Sequence, residues 1–149
     1  MKLVKDILKN KAIKELFSVT PESLVFDALS LLAEKNIGAL MVIDKKGKVV
    51  GIFSERDYTR KVILKGKSSK ETKVQDIMTS ARAMYKIKPE TEINECMVLM
   101  TGKHIRHLPV FDGQKFIGLI SIGDILKAVI VEKEKLIDDL SDYIAGKYA

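Results

Sequence analysis

The sequence has few of the residues that mark a disulfide-bonded, secreted or membrane-spanning protein. Its 149 residues include one cysteine and no tryptophan. A single cysteine cannot form an internal disulfide and suits a reducing compartment. The N-terminal residues contain no apolar signal-peptide stretch, and no apolar run reaches the length of about 18 residues that crosses a membrane. These absences predict a soluble, cytoplasmic protein with no membrane partner.

Aromatic residues are also scarce, at 6% of the chain, so we expect an aliphatic core. Hydrophobic residues make up 46% and charged residues 31%, which is typical of a globular protein. The length suits one compact domain or two small, packed halves. A net charge of +6 could attract nucleic acid, but the lysines are scattered among acidic residues. A solvated surface explains this pattern better, so a nucleic-acid partner is not expected.

One seven-residue motif occurs twice. Residues 51–57 read GIFSERD and residues 118–124 read GLISIGD. Each copy follows an apolar, strand-like run and leads into a helix-like run. The two prolines Pro21 and Pro89 lie 68 residues apart, close to the 67-residue spacing of the motif glycines. Duplication at a fixed period is the strongest organisational signal in the chain.

Each copy of the pattern predicts a β-α-β-β-α unit preceded by a short helix. The first unit has a lead-in helix at 4–8, a strand at 16–19, a helix at 24–35 capped by Ser23, strands at 39–43 and 48–53, and a helix at 55–64. A polar linker follows at 65–72. The second unit has a lead-in helix at 74–78, a strand at 83–87, a helix at 93–101, strands at 107–111 and 115–120, and a long helix from about 123 to about 144. We delimit the repeats, with their lead-in segments, as 1–66 and 67–149.

The last helix carries an apolar stripe that extends beyond the predicted module. The stripe consists of Leu126, Val129, Ile130, Leu136, Ile137, Leu140 and Ile144. It could pack back onto the same chain. It could equally form a subunit contact, because an exposed apolar stripe of this size is unfavourable in water.

The paired Ser and Asp of the motif allow two interpretations. A Ser followed three residues later by an acidic residue resembles a capping box, which satisfies free amides at a helix start. Alternatively, a strand that feeds a helix N-terminus presents amides and a positive dipole end to a phosphate. A carboxylate in the first helical turn can accept hydrogen bonds from both hydroxyls of a ribose. The apolar neighbours Ile52 and Leu119 offer a dry surface for a base.

Together these features resemble a tandem CBS-domain pair, or Bateman module. The resemblance rests on the paired units, on residues 36–40 (NIGAL) and 105–110 (IRHLPV), and on the two Gly-x-x-Ser-x-x-Asp motifs. It covers about residues 3 to 130 and is greatest for small, stand-alone bacterial CBS-pair proteins. It implies an α/β (α+β) fold in which two β-α-β-β-α repeats pack with pseudo-two-fold symmetry.

The resemblance also implies the ligand. In that family, AMP, ADP, ATP, NAD or S-adenosylmethionine binds in two clefts between the repeats. Cleft A would be lined by Thr20, Val25, Ile37, Gly38, His107, Leu119, Ser121, Gly123 and Asp124. Cleft B would be lined by Lys88, Ile93, Ile105, Arg106, Ile52, Ser54, Arg56 and Asp57.

The two implied clefts differ in charge. Cleft B gathers Lys88, Arg106 and Arg56, which favours a polyphosphate or a dinucleotide. Cleft A has Thr20 and Gly123 at the corresponding positions, so we expect it to bind fewer phosphates or to bind more weakly. Lys88 also departs from the Ser or Thr often found there in the family.

No constellation in the sequence indicates catalysis. There is no Ser/His/Asp set and no Cys–His pair with an orienting third group. His104, His107 and Cys96 do not have the spacing of a zinc site, since residues three apart on one strand point to opposite faces. We therefore expect no metal, no catalytic cofactor and no enzyme activity.

The leading hypothesis is a regulatory module for signal transduction. It would bind AMP, ADP, ATP or NAD(H) and relay energy or redox status to an unidentified effector protein. A homodimer is expected, through the CBS modules, the C-terminal helix or both. The alternative is an interaction and dimerisation scaffold whose clefts are vestigial.

Overall fold

The structure is a computed structural model that describes residues 2–11 and 16–146. It forms two compact units: the first-repeat unit contains residues 16–85, and the second-repeat unit contains residues 2–11 and 86–146. The helices are α1 (Val4–Asn10), α2 (Val25–Lys35), α3 (Glu55–Lys61), α4 (Ile93–Lys103) and α5 (Ile122–Ile144), with 3₁₀ turns at Ile63–Lys65 and Val74–Asp76. The strands are β1 (Ser18–Val19), β2 (Ala39–Ile43), β3 (Val49–Ser54), β4 (Thr79–Ser80), β5 (His107–Asp112) and β6 (Lys115–Ser121).

The first-repeat unit is built on a four-stranded sheet in the order β1-β2-β3-β4. β1 pairs with β2 in parallel, and the other two pairings are antiparallel. β2 is a continuous apolar run of which all but Ile43 is buried, as its sequence predicts. The predicted β-α-β-β-α order is confirmed, while the helix predicted to reach residue 64 ends at Lys61 and continues as a 3₁₀ turn.

The second-repeat unit is built on the antiparallel pair β5-β6. The strand predicted at 83–87 is wrong: within the described residues, this stretch contributes only one parallel bridge, from Ile87 to Val110. Residues 81–83 instead form a turn, in which the amides of Ala83 and Met84 donate to the carbonyl of Ser80. This turn directly follows β4, so too few residues remain after it for a full strand.

Each lead-in segment belongs to the core of the other repeat. Val4 and Ile7 of α1 are buried in the cluster that contains Ile120 and Ile125 of the second repeat. The corresponding residues Val74 and Ile77 are buried in the core of the first repeat. The other residues of this core are Val25, Ala28, Leu32, Leu40, Val42, Phe53 and Val62. The compact units therefore differ from the sequence repeats 1–66 and 67–149, because the lead-in segments are exchanged between them.

Residues just before each lead-in segment cap α2 and α4. Ser23 was predicted to cap α2, but its hydroxyl accepts a hydrogen bond from the amide of Thr20, and the N-cap residue is Leu24. The first amides of α2, those of Val25 and Phe26, donate instead to the carbonyls of Thr72 and Ser69, both at 2.9 Å.

The start of α4 repeats this arrangement. The amide of Ile93 donates to the carbonyl of Lys2 at 3.2 Å. Both helix starts therefore receive backbone partners from chain segments that are distant in sequence, and neither uses a side-chain cap.

The motif glycines lie where a lead-in segment crosses the sheet. A Cβ atom on Gly51 would lie 2.6 Å from the carbonyl oxygen of Thr79 and 2.6 Å from the sulfur of Met78. A Cβ atom on Gly118 would lie 2.6 Å from Cδ2 of Leu8. Close packing against the exchanged segment therefore explains the repeated glycine, strictly at Gly51, where a backbone oxygen is close, and less strictly at Gly118, where only the end of Leu8 is close.

The apolar stripe of α5 does not pack back onto the chain over most of its length. Val129 packs against the core of the second-repeat unit. The other members of the stripe have exposed fractions between 49% and 83%: Leu126, Ile130, Leu136, Ile137, Leu140 and Ile144. The described part of this chain thus leaves the stripe open to a partner.

We predict that the two motif glycines tolerate alanine unequally. Gly51→Ala should lower the free energy of unfolding by about 1–3 kcal/mol, because the added methyl group meets a backbone carbonyl. Gly118→Ala should lower it less, because the methyl group meets the end of the flexible Leu8 side chain. Urea denaturation followed by circular dichroism measures both values.

Gly102→Ala is the matched control. Gly102 lies within α4, and a Cβ atom there would meet nothing within 4 Å. This substitution should raise the free energy of unfolding by about 0.5–1 kcal/mol, the usual effect within a helix. Equal losses in Gly51→Ala and Gly102→Ala would contradict the packing explanation.

Candidate functional site

The two motifs form equivalent helix starts at the ends of β3 and β6. In the first-repeat unit, the amide of Asp57 donates to Ser54 Oγ at 3.2 Å, and the amide of Ser54 donates to Asp57 Oδ2 at 3.0 Å. In the second-repeat unit, the same two bonds join Ser121 and Asp124 at 3.1 and 2.9 Å. Both motifs are therefore complete capping boxes.

The first amide of each helix is paired as well. The amide of Glu55 donates to the carbonyl of Gly38 at 3.1 Å, and that of Ile122 donates to the carbonyl of Arg106 at 2.8 Å. The outward-pointing amides that would favour a phosphate are thus largely occupied within each unit. A bound anion would depend more on side-chain cations than on the helix end.

Asp57 is held by more than its cap. The residue is 8% exposed, and it is the one buried charged residue of the described chain. Lys61 Nζ lies 3.0 Å from Asp57 Oδ1, and the hydroxyl of Thr79 donates to the same oxygen at 3.4 Å. Lys61 also donates to the carbonyl of Ile77 at 3.1 Å, so its ammonium contacts both the carboxylate of Asp57 and the exchanged segment.

Asp124 is paired with a cation from a different source. Lys11 follows α1, and its Nζ lies 3.0 Å from Asp124 Oδ2. The same ammonium donates to the carbonyl of Leu119 at 2.7 Å. The ion pair is partly shielded, with side-chain exposures of 27% for Lys11 and 20% for Asp124.

Sequence reasoning missed Lys11, Lys61 and Thr79. For Lys61 a local signal existed, because it lies four residues after Asp57 on one helix. For Lys11 and Thr79 no local signal existed, since packing of the lead-in segments places them beside the carboxylates.

Within each unit, the structure brings together residues that the family resemblance assigns to different clefts. Ala39 pairs with Ser54 and His107 pairs with Ser121, so the start of one strand lies beside the end of the next. The first-repeat unit holds Thr20, Val25, Ile37, Gly38, Ile52, Ser54, Arg56 and Asp57. The second-repeat unit holds Lys88, Ile93, Ile105, Arg106, His107, Leu119, Ser121, Gly123 and Asp124.

The predicted lining residues differ in how much surface they offer. Thr20, Arg56, Lys88, Arg106 and Gly123 are exposed. Ile37, Gly38, Ile52, Ser54, Ile105, His107, Leu119, Ser121 and Asp124 are half-buried. Val25 and Ile93 lie in the hydrophobic cores, which leaves little of either side chain for a ligand.

His107 is uncharged at neutral pH. Burial lowers its pKa to about 4, and the positive charge of Lys11 acts in the same direction, while Asp124 opposes the shift. A neutral imidazole can donate one hydrogen bond and accept one, but it adds no positive charge for a phosphate.

The described residues include no group of three or more His, Cys, Asp and Glu side chains that could hold a metal ion. The sequence placed His104 on the same strand as His107, but His104 is the C-cap residue of α4 and has a left-handed backbone conformation. Cys96 is buried in α4, and burial raises the pKa of its thiol to about 11, so it remains protonated at neutral pH. No helix among residues 2–11 and 16–146 is both long and apolar enough to cross a membrane.

Comparison with known proteins identifies the family. The family model of the CBS domain matches residues 4–63 and again 74–131. The chain is 40% identical over 151 aligned positions to the Arabidopsis thaliana CBS domain-containing protein CBSX3, mitochondrial, covering 97% of this chain and 73% of that one. The structure of a candidate signal-transduction protein with CBS domains from Burkholderia ambifaria MC40-6 is 48% identical, with a TM-score of 0.82, and the match covers 87% of this chain and 95% of that one.

A further neighbour bears on assembly. The hexameric CBS-CP12 protein from bloom-forming cyanobacteria is 27% identical, with a TM-score of 0.72, and the match covers 84% of this chain and 66% of that one.

We predict that His107 makes the protein less stable at mildly acidic pH. Its pKa is about 4 when folded and 6.5 when unfolded, so below pH 6.5 the unfolded chain binds the proton more readily. The stability contribution is therefore complete above pH 6.5 and is lost as the pH falls toward 4. Between pH 7 and pH 5 the loss should reach about 1–2 kcal/mol.

His107→Gln should remove this component. The free energy of unfolding at pH 7 and pH 5, measured by urea denaturation, should fall less in the variant than in the wild type. His104→Gln controls for loss of a histidine that is exposed. An identical pH dependence in wild type and His107→Gln would show that His107 is not buried in its neutral form.

Proposed function

The chain belongs to the CBS-domain family, and on that basis we propose that it is a non-enzymatic regulatory module that binds adenine nucleotides. The ligand would be AMP, ADP, ATP or NAD(H), bound at the ends of β3 and β6 that carry Asp57 and Asp124. Binding would relay energy or redox status to an effector protein in the cytoplasm. The assignment of lining residues to two clefts between the repeats stays a prediction.

One observation carries the proposal: each unit holds a carboxylate fixed by a capping box at the end of a strand. The cap fixes the position of Asp57 and Asp124 through Ser54 and Ser121, so neither carboxylate must be ordered when a ligand arrives. A ribose presents two adjacent hydroxyl donors, and a carboxylate accepts such donors strongly.

The surroundings of the two carboxylates suit the rest of a nucleotide. Ile52 precedes Ser54 on β3 and Leu119 precedes Ser121 on β6; both are half-buried and offer apolar surface to a base. The exposed cations Arg56 and Arg106 lie near these strand ends and favour a phosphate. Because the helix amides are largely paired, these side chains would carry most of the phosphate binding.

We predict that removing either carboxylate weakens nucleotide binding. Asp57→Ala and Asp124→Ala should each raise the Kd of one site about tenfold or more, the effect of losing charge-assisted hydrogen bonds. Isothermal titration with AMP, ATP and NADH measures the affinities. Each variant should also lose about 1 kcal/mol of stability, because its helix loses a cap.

Asp27→Ala is the matched control, since Asp27 occupies the same third position of α2 and is exposed. It should bind as the wild type does. If the wild type gives neither heat nor a thermal shift with any of the three nucleotides, the nucleotide-binding proposal fails.

The stripe of α5 supports a second part of the proposal, a homodimer formed through this helix. Its exposed members lie at positions 126, 130, 136, 137, 140 and 144, which fall on one helix face within an arc of about 120° at 100° per residue. A second copy of the chain would present the same stripe, so that a two-fold symmetric contact could cover both.

We predict that charge on the stripe separates the subunits. The double substitution Ile137→Glu/Leu140→Glu should convert a dimer into a monomer, measured by light scattering after size-exclusion chromatography. Leu64→Glu is the control, because Leu64 is 74% exposed and lies outside α5. A wild-type monomer, or a dimer that survives the double substitution, would rule out this contact.

The alternative is a dimerisation scaffold with vestigial clefts. It is favoured by the fact that both capping boxes are complete within the chain. A dimer that binds none of the three nucleotides, while both Asp variants lose only cap stability, would establish the scaffold instead.

A further inference from the structure

We propose that Lys11 is a built-in competitor for the sugar-binding carboxylate Asp124 and thereby sets the nucleotide affinity of the second-repeat unit. The inference rests on the proposed function and deepens it. It names a residue outside both repeat motifs that lowers the affinity of Asp124 for the sugar of the ligand.

The contacts of the Lys11 ammonium cover two of the atoms nearest the proposed ligand position. Nζ lies 3.0 Å from Asp124 Oδ2 and donates to the carbonyl of Leu119 at 2.7 Å. Asp124 Oδ2 also accepts the amide of Ser121, so this oxygen already has two donors. Both donors lie on the same oxygen, so a ribose whose two hydroxyls use both carboxylate oxygens must displace the ammonium from Oδ2 or share that oxygen with it.

The ammonium is held in place by the rest of α1. Val4 and Ile7 are buried in the core, and Leu8 packs against Gly118 on the neighbouring strand. Lys11 lies one residue beyond this helix, so α1 keeps its ammonium close to Asp124. A tethered group of this kind competes with a free ligand at a high effective concentration.

The corresponding ion pair in the first-repeat unit is different. Lys61 lies on the same helix as Asp57, its side chain is 44% exposed against 27% for Lys11, and it contacts Oδ1, whereas the cap uses Oδ2. Its second contact is with the carbonyl of Ile77 and not with the β3 strand that carries Ile52. At Asp57 the cation and the cap thus occupy different oxygens, whereas at Asp124 Lys11 and the cap share Oδ2, so Lys11 acts on a ligand that uses both oxygens.

Lys11→Met tests the inference in a protein that carries Asp57→Ala, so that binding at Asp124 is measured alone. The probe is adenosine, which has the sugar but no phosphate, followed by AMP. Lys11→Met should bind adenosine about three- to tenfold more tightly than the Asp57→Ala parent, the range expected for removal of a partly exposed ion pair. Lys9→Met is the control, because it removes the same charge from an exposed position in the last turn of α1.

Lys9→Met should stay within about twofold of the parent, since uniform charge effects on a neutral ligand are small. Adenosine affinity that is unchanged or lower in Lys11→Met overturns the inference. If AMP binding weakens while adenosine binding is unchanged, Lys11 is a phosphate contact and not a competitor. If the wild-type protein binds neither adenosine nor AMP, the proposed function fails, and the inference fails with it.

Circular dichroism confirms that each variant is folded. Should Asp57→Ala unfold the protein, Lys11→Gln in the wild-type background gives the same test. One of the two adenosine sites should then gain affinity about three- to tenfold while the other stays unchanged. A variant in which both sites keep their wild-type affinities contradicts the competition.

Discussion

The exchange of the lead-in segments is the constraint on which the other features of this structure depend. Val4 and Ile7 complete the core of the second repeat, and Val74 and Ile77 complete that of the first. The same exchange requires Gly51, because a Cβ atom there would meet a backbone oxygen, and it favours glycine at Gly118, where a Cβ atom would meet the flexible end of Leu8. The residues just before each exchanged segment supply the backbone partners at the starts of α2 and α4. A single packing arrangement thus explains the motif glycines, the helix caps and the composition of both cores.

The exchange also determines the electrostatics of the candidate site. It brings Lys11 to Asp124 and Thr79 to Asp57, so each capping carboxylate is tied to a segment from elsewhere in the chain. A ligand that binds either carboxylate would compete with these contacts and alter how firmly the segment is held. By thermodynamic linkage, a partner that changes the packing of the segment would change the ligand affinity as well. If the chain binds nucleotides as proposed, this coupling would offer a route from ligand occupancy to an effector.

The sequence predicted the local features well, because they depend on residues that are close together in the chain. The apolar run of β2 and the Ser-x-x-Asp caps both reflect interactions within a few residues. The resemblance to the CBS family led to the right fold. The two errors have different physical origins. Ser23 does not cap α2 because the first amides of that helix bond to the distant carbonyls of Thr72 and Ser69, whereas residues 83–87 form no strand because a local turn directly follows β4.

The charge difference between the two candidate sites also depends partly on the local sequence and partly on tertiary contacts. Counting cations in the motifs made the Asp124 site the weaker one, because Gly123 stands where the other motif has Arg56. The structure adds a cation there, Lys11, which engages the carboxylate itself. The sequence by itself determined the duplication, most of the helices and strands and the two capped carboxylates, since spacing and local hydrogen bonds specify them. Only the tertiary structure decided that Lys11 meets Asp124 and which repeat each lead-in segment completes, because these contacts join residues that are far apart in the chain.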